Sequence, residues 1–297
     1  KILQEQYIKD FGRFGGKMRS IKSSANYQCR FMKKNTCAES LRALKAEDKS
    51  SNFFKSCAFK CTYKKAKEEF LESTESVTNF PYFLAETTYS GKITPRNIMI
   101  VDEAHNAAEE LSKFIEVSVS NRFSSKVLKI EIPELTSQSK AFKWINEVYC
   151  KKLFSHTKHV ESMLEKYAGL KEKLNEFSSL AKQYELLDKH ACKIRRFLEL
   201  YDKDNWVYNP IKLDDGGRKI EFKPIDGSEY AEDMLFKHAK VVIMMSATII
   251  DNKSFCKMLG ISENDAAFIN IPSPFPKDNR PIIFANVGRM SSREIEN

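Results

Sequence analysis

Asp102, Glu103 and His105 directly follow Ile98-Met99-Ile100-Val101, four apolar residues in a row. Such a run predicts a short strand buried on both faces, as in a parallel sheet. The carboxylates then sit at the carboxyl end of that strand, where open α/β sheets bind ligands. An Asp at this place can hold Mg²⁺ on nucleotide phosphates, which suits Asp102, and Glu103 can orient or deprotonate the attacking water. His105 stands close enough to sense the terminal phosphate. The plain alternative, a buried strand that ends in a surface acid pair, is common.

A second apolar run, Lys240-Val241-Val242-Ile243-Met244-Met245, leads into Ser246-Ala247-Thr248-Ile249. D-E-A-H after one apolar strand and S-A-T after a later one resemble motifs II and III of superfamily 2 helicases. The resemblance implies that Asp102 binds Mg²⁺ with ATP and that Glu103 positions water. It also implies that His105, Ser246, Ala247 and Thr248 couple the nucleotide site to a nucleic-acid site. No G-x-x-x-x-G-K-[S/T] loop accompanies them. The nearest stretch, Gly12 to Met18, has Phe11 where the first Gly belongs and Met18 where Ser or Thr belongs. The expectation is that the chain starts just downstream of that loop.

Four of the seven cysteines fall in the order Cys29-x7-Cys37-x19-Cys57-x3-Cys61. Zinc ribbons usually show two close C-x2-C pairs. Only one close pair occurs here, and loose spacing suits thiolates converging on a larger inorganic core. On spacing alone, zinc and iron–sulfur weigh about equally, and four unrelated thiols remain a third reading. Cys150, Cys192 and Cys256 are scattered and read as ordinary thiols. With no export signal, a disulfide framework is not expected.

The residues around these cysteines sharpen the choice. Lys22-Ser23-Ser24-Ala25-Asn26-Tyr27-Gln28-Cys29 resembles the K-G-x-S-N-Y-x-C of XPD/DinG-like iron–sulfur helicases, with Ser23 for Gly and Ala25 for Ser. Cys61-Thr62-Tyr63-Lys64-Lys65-Ala66 resembles C-P-Y-x-x-A, with Thr62 for Pro, and Thr78 to Leu84 resembles the N-Y-x-Y-L-L that precedes motif II. The resemblance implies a 4Fe–4S cluster held by Cys29, Cys37, Cys57 and Cys61. It further implies an ATP-dependent DNA helicase, 5′ to 3′ in its relatives.

The formal charge is +9, and the first 70 residues hold 17 Lys and Arg against 7 Asp and Glu, an excess of +10 that leaves −1 for the remainder. A folded basic patch there would attract phosphate backbones, though it would equally serve as a soluble surface. Tyr27 or Phe31 could add base stacking. No apolar run approaches the ~18 residues of a membrane span, and the first residues are not a signal peptide.

The elements that must position these groups follow from periodicity. Residues 1–12 read as an amphipathic helix with Ile2, Leu3, Tyr7, Ile8 and Phe11 on its apolar face, closed by Gly12. A helix continues over about 107–117. From about 156 to 201 apolar residues recur in steps of three and four, from Val160 through Phe177, Leu187 and Ile194 to Tyr201, as in one or two long helices with a bend at Gly169. Trp206 to Lys212 and Arg218 to Ile225 flank Asp214-Asp215-Gly216-Gly217 and read as a β-hairpin. Residues 229–239 read as a helix.

Together these give an α/β chain: a RecA-like parallel-sheet motor domain with an inserted iron–sulfur domain and an inserted, mainly helical arch domain. The expected divisions are 1–20 (start of motor domain 1), 21–77 (iron–sulfur), 78–115 (motor domain 1 with DEAH), 116–204 (arch), 205–272 (motor domain 1 with S-A-T) and 273–297. The last begins with a Ser273-Pro274-Phe275 stretch resembling the family's S-P-F linker, and opens motor domain 2. Expected partners are single-stranded DNA and DNA junctions, with no membrane, in a cytoplasmic or nuclear setting. The rivals are a non-catalytic, metal-stabilised nucleic-acid-binding remnant and a translocase that does not separate strands.

Overall fold

The computed structural model describes residues 2–44, 47–167, 170–213, 217–249, 251–272, 274 and 276. Gly169, Asp214-Asp215-Gly216 and, apart from Pro274 and Pro276, the expected start of motor domain 2 lie outside the described residues.

Helix α1 (Ile2–Arg13) leads into β1 (Arg19–Ser20). Helices α2 (Cys37–Leu44), α3 (Asn52–Lys60) and α4 (Thr62–Glu72) form the cysteine module, and β2 (Ser76–Val77) pairs in parallel with β1. Helix α1 runs one residue past Gly12, and its expected apolar face is only partly covered. Tyr7, Ile8 and Phe11 are half-buried, Ile2 and Leu3 are 82% and 47% exposed, and the fully buried residue is Gln4.

Helix α5 (Phe80–Ala85) starts at Asn79, whose side chain accepts the Tyr82 N–H at 2.9 Å, with Pro81 in the first turn where no amide donor is needed. After it come β3 (Arg96–Val101), α6 (Ala107–Ile115), β4 (Val117–Ser120) and the short α7 (Asn121–Phe123). Helix α8 (Gln138–Trp144) runs through a π turn at Ile145–Tyr149 into α9 (Cys150–Tyr167), which packs against α10 (Leu174–Leu200). The expected pair of long helices is therefore present, but it begins earlier than the apolar spacing suggests. A π turn adds a residue to the helical repeat and shifts the stripe.

Strands β5 (Trp206–Lys212) and β6 (Arg218–Pro224) form the expected hairpin, and β4 adds to β6, giving an antiparallel sheet in the order β4-β6-β5. This sheet draws strands from both sides of the division expected at 204/205. It shares one core with α6, α9 and α10, centred on Tyr149, Phe197, Trp206 and Phe222.

The expected helix over 229–239 is broken. A 3₁₀ turn precedes α11 (Ala231–Met234), and another, Phe236–His238, follows it. Met234 belongs to the large core and Leu235 to a smaller one, so two successive buried side chains must point different ways, and Leu235 leaves the helical region at φ −128°.

Strand β7 (Ala239–Met244) closes the second parallel pair, with Ile98 opposite Val241 and Val101 opposite Met244. One face of this pair, with Met99, Val101, Val242 and Met244, packs on Phe80, Phe83, Leu235 and Phe255. The other face is open: Ile98, Ile100 and Val241 are 58%, 61% and 54% exposed. The expected burial on both faces does not hold, because among the described residues no element covers that side. Helix α12 (Asn252–Met258) brings Phe255 beneath the sheet and ends in a Schellman turn, with Ile261 N–H on Cys256 O at 2.9 Å and Gly260 N–H on Lys257 O at 3.2 Å. Gly260 has φ +65°, and a Cβ there would stand 2.9 Å from Ser228 O, so only glycine suits the position. Among the described residues no helix is long and apolar enough to cross a membrane.

Candidate nucleotide site and cysteine cavity

The in-register pairing of β3 with β7 brings two distant sequence motifs to one edge. Beyond the strands the ladder continues, with Met245 N–H on Val101 O and Ala104 N–H on Met245 O, both at 2.9 Å. His105 Nδ1 then lies 2.8 Å from Ser246 Oγ and 3.3 Å from Glu103 Oε2. Ser246 Oγ in turn accepts the Thr248 N–H and stands 3.1 Å from Thr248 Oγ1. Glu103, His105, Ser246 and Thr248 thus form one polar chain across the two strand ends, with Ala247 in the turn between the last two.

Glu103 has φ +51°, a left-handed conformation that non-glycine residues adopt at a cost and that recurs at functional sites. It turns the chain sharply after Asp102, and both carboxylates are exposed to solvent. Asp102 Oδ1 accepts the Glu103 N–H, and Oδ2 accepts the hydroxyl of Tyr7 from α1. The bond to Asp102 is the main reason that the Tyr7 hydroxyl is pushed up to about 12. Tyr7 was legible only as one apolar position of a helix. Nothing in the sequence tied it to an acid so far along the chain.

The four expected cysteines line one cavity together with Arg30, Ser40 and Lys60. Bonds local to the module place them. Cys37 N–H reaches Tyr27 O at 2.7 Å and Cys29 N–H reaches Asn35 O at 3.0 Å, so the chain between Cys29 and Cys37 folds back on itself. Cys37 opens α2, Cys57 lies in α3, and Cys61 caps α4, its sulfur accepting Lys64 N–H at 3.5 Å. Cys29 sulfur accepts Met32 N–H at 3.3 Å. Thr62, where the resembling family has Pro, donates its hydroxyl to Gln28 O at 2.9 Å and so ties the start of α4 to the loop bearing Cys29.

Cys37 and Cys61 stand 3.6 Å apart, sulfur to sulfur, and all seven cysteines are free thiols. Burial, the Cys61 hydrogen bond and the other three sulfurs push the Cys37 thiol up to about 12. Bare thiolates here repel one another, which favours a cationic group among them. Among the described residues no group of three or more His, Cys, Asp or Glu side chains is placed to hold a metal ion. The residue types nonetheless have the chemistry an iron–sulfur group takes: four cysteines around one cavity, two of their sulfurs accepting amide N–H bonds, two cationic side chains in the lining, and a buried hydroxyl, Ser40 Oγ, without a partner among the described residues.

Helix α4 links the two sites. Cys61 caps it, and its first half is tied to α5 and the turn after α5 by Tyr63 OH with Tyr82 OH at 3.1 Å and Lys67 with Glu86 at 2.6 Å. Burial alone would raise the Glu86 carboxyl, but its bonds to Lys67 and Ser90 outweigh that and hold it low. The last carbonyls of α4 are taken by Arg96, the first residue of β3, whose guanidinium donates to Phe70 O, Leu71 O and Ser73 O.

Of the two aromatics expected to stack on bases, Tyr27 does not stand free. Its ring packs against Tyr63 at 5.5 Å, and its hydroxyl accepts the Lys22 N–H. Phe31 is half exposed but stacks one face on Phe53 at 4.8 Å. Phe59, beside Lys60 on α3, is 86% exposed, and no pattern in the sequence distinguishes it from a buried aromatic.

No family model matches the chain, and no curated protein matches it. Among solved structures it is similar to an XPD helicase, with 17% sequence identity and a TM-score of 0.42 over 82% of this chain. The match spans 47% of that helicase, so this chain corresponds to about half of its length.

Proposed function

We propose that this chain is the DEAH- and cluster-bearing part of an ATP-dependent DNA helicase of the iron–sulfur superfamily 2 type. The observation that carries the reading is the 2.8 Å contact between His105 Nδ1 and Ser246 Oγ, which joins the two motifs at the carboxyl ends of adjacent parallel strands. The contact spans 141 residues of sequence and joins the histidine of the first motif to the serine of the second.

In this reading Asp102 holds Mg²⁺ on the nucleotide, and the ion would neutralise charge on the phosphates. Tyr7 must release Asp102 Oδ2 for both carboxylate oxygens to serve. Glu103 orients the attacking water and takes its proton. His105 carries the state of Glu103 to Ser246 and Thr248 through the polar chain. Cys29, Cys37, Cys57 and Cys61 hold the 4Fe–4S group, whose part is to fasten the basic module. Single-stranded DNA lies across that module, bound through phosphate contacts with Lys and Arg and by stacking on Phe59 and the open face of Phe31.

The test is DNA-stimulated ATP hydrolysis and strand displacement by the full-length gene product. Both should vanish in Glu103→Gln while single-stranded DNA binding persists. That binding should weaken steeply with salt and exceed binding to duplex. Unchanged hydrolysis in Glu103→Gln would remove the nucleotide site from this edge. Translocation without strand displacement would favour the duplex-translocase reading instead.

A further inference from the structure

Among the described residues three Ser and Thr side chains are buried, Ser40, Ser124 and Thr157. Thr157 Oγ1 donates to Leu153 O at 2.8 Å, and Ser124 Oγ donates to Ser120 O at 3.0 Å, so each is satisfied by the preceding turn of chain. Ser40, 3% exposed, has no partner for its Oγ among the described residues. It lies three residues after Cys37 on α2, hence on the same helix face, and it lines the cavity that Cys29, Cys37, Cys57 and Cys61 share. A buried hydroxyl without a partner is rare and calls for an explanation. Here the unmatched donor belongs to a residue on the wall of the cavity that the four cysteines line.

We propose that Ser40 donates its hydroxyl hydrogen bond to a sulfur of the iron–sulfur group held by these four cysteines, and thereby raises the reduction potential of that group. The inference rests on the cluster reading given above. Hydrogen bonds to cluster sulfurs are among the levers that set potential. The added electron spreads onto the sulfurs, so an O–H donor stabilises the reduced form more than the oxidised one. The amide bonds from Met32 and Lys64 act in the same sense on Cys29 and Cys61, and Ser40 supplies the corresponding donor from the α2 side.

The experiment is a redox titration of the anaerobically purified 297-residue chain, followed by absorbance and electron paramagnetic resonance, with iron and sulfide counted first. Ser40→Ala should keep its iron and shift the midpoint negative. At the wild-type midpoint the ratio of reduced to oxidised group should fall about tenfold, which is about 59 mV for a one-electron couple. Ser40→Thr, which keeps the hydroxyl, should retain the wild-type midpoint, whereas Ser40→Val, of similar size, should shift it as Ala does. Loss of iron from Ala and Val but not from Thr would also support the hydroxyl's role. An iron-loaded Ala or Val variant with the wild-type midpoint, or loss of iron from Thr as well, would overturn the assignment of Ser40 and leave the cluster reading standing. Wild-type protein with zinc in place of iron, or with no metal, would overturn the cluster reading itself.

Discussion

Around Trp206 the rings of Phe197 and Phe222 interlock, with Phe197 5.1 Å from Trp206 and 5.0 Å from Phe222, and none of the three is more than 1% exposed. In residues 21–77, by contrast, the buried apolar side chains among those described are only Ile21, Cys37, Phe53 and Phe70. The helical hairpin and its sheet therefore carry a core large enough to order them. The cysteine module buries few apolar side chains in a size range where burial alone gives only marginal stability. It also holds four thiols that repel one another once ionised. Packed rings stabilise the first region, whereas under the cluster reading proposed above the second would draw its stability from the group its sulfurs hold.

The sharpest way to break that contrast is to remove one sulfur. Cys57→Ser should lose the iron, and amides across residues 27–72 should exchange with solvent as in an unfolded segment, while those of α9 and α10 stay protected. Hydrogen exchange read by mass spectrometry checks this, with Cys150→Ser and Cys192→Ser as variants expected to keep both iron and protection. Equal protection of the module with and without iron would make its small core sufficient.

Trp206→Ala is the converse. Trp206 packs on three rings, and its Nε1–H reaches Tyr230 OH at 2.9 Å. Truncation should cost about 3–5 kcal/mol. Chemical denaturation should show the loss in the hairpin transition, with iron content unchanged.

Acid should act on the hairpin as well. Burial, with Lys193 adding to it, lowers His190 to about 4, and its ring nitrogen meets Tyr149 OH at 2.7 Å. The folded value lies below the ordinary one of about 6.5, so below that pH the unfolded chain takes up a proton that the folded chain refuses. Stability from this group is full above about pH 7, and up to roughly 3 kcal/mol is lost as the pH falls from 6.5 towards 4. Melting curves from pH 7 to 5 should show the drop in the wild type and a flatter profile in His190→Gln.

The smallest effect sharpens the link between regions. Arg96→Met removes a charged donor from three carbonyls at the end of α4 and should cost about 2 kcal/mol. Faster exchange confined to the last turn of α4 and to β3 is expected, with α10 unaffected.

The strand ends at Asp102 and Ser246 were legible because each is a contiguous run of apolar residues followed by polar ones. The hairpin was legible for a similar reason, since both strands alternate around a turn. What the sequence hid depends on distance or on competing cores. Tyr7 meets Asp102 across 95 residues, Arg96 serves a helix that precedes its own strand, and Met234 and Leu235 split an otherwise regular helix between two cores. The open side of Ile98 and Ile100 was hidden too, because apolar runs record what a strand can bury and not whether anything covers it. The cysteine spacing left zinc and iron–sulfur equal. The cavity adds a buried hydroxyl and two amide donors that sulfur accepts.

Metal and sulfide analysis of the anaerobically purified chain tests the account most directly. It predicts a brown protein with about four iron and four sulfide per chain, the content of a 4Fe–4S group. One zinc per chain, with neither iron nor sulfide, would contradict it.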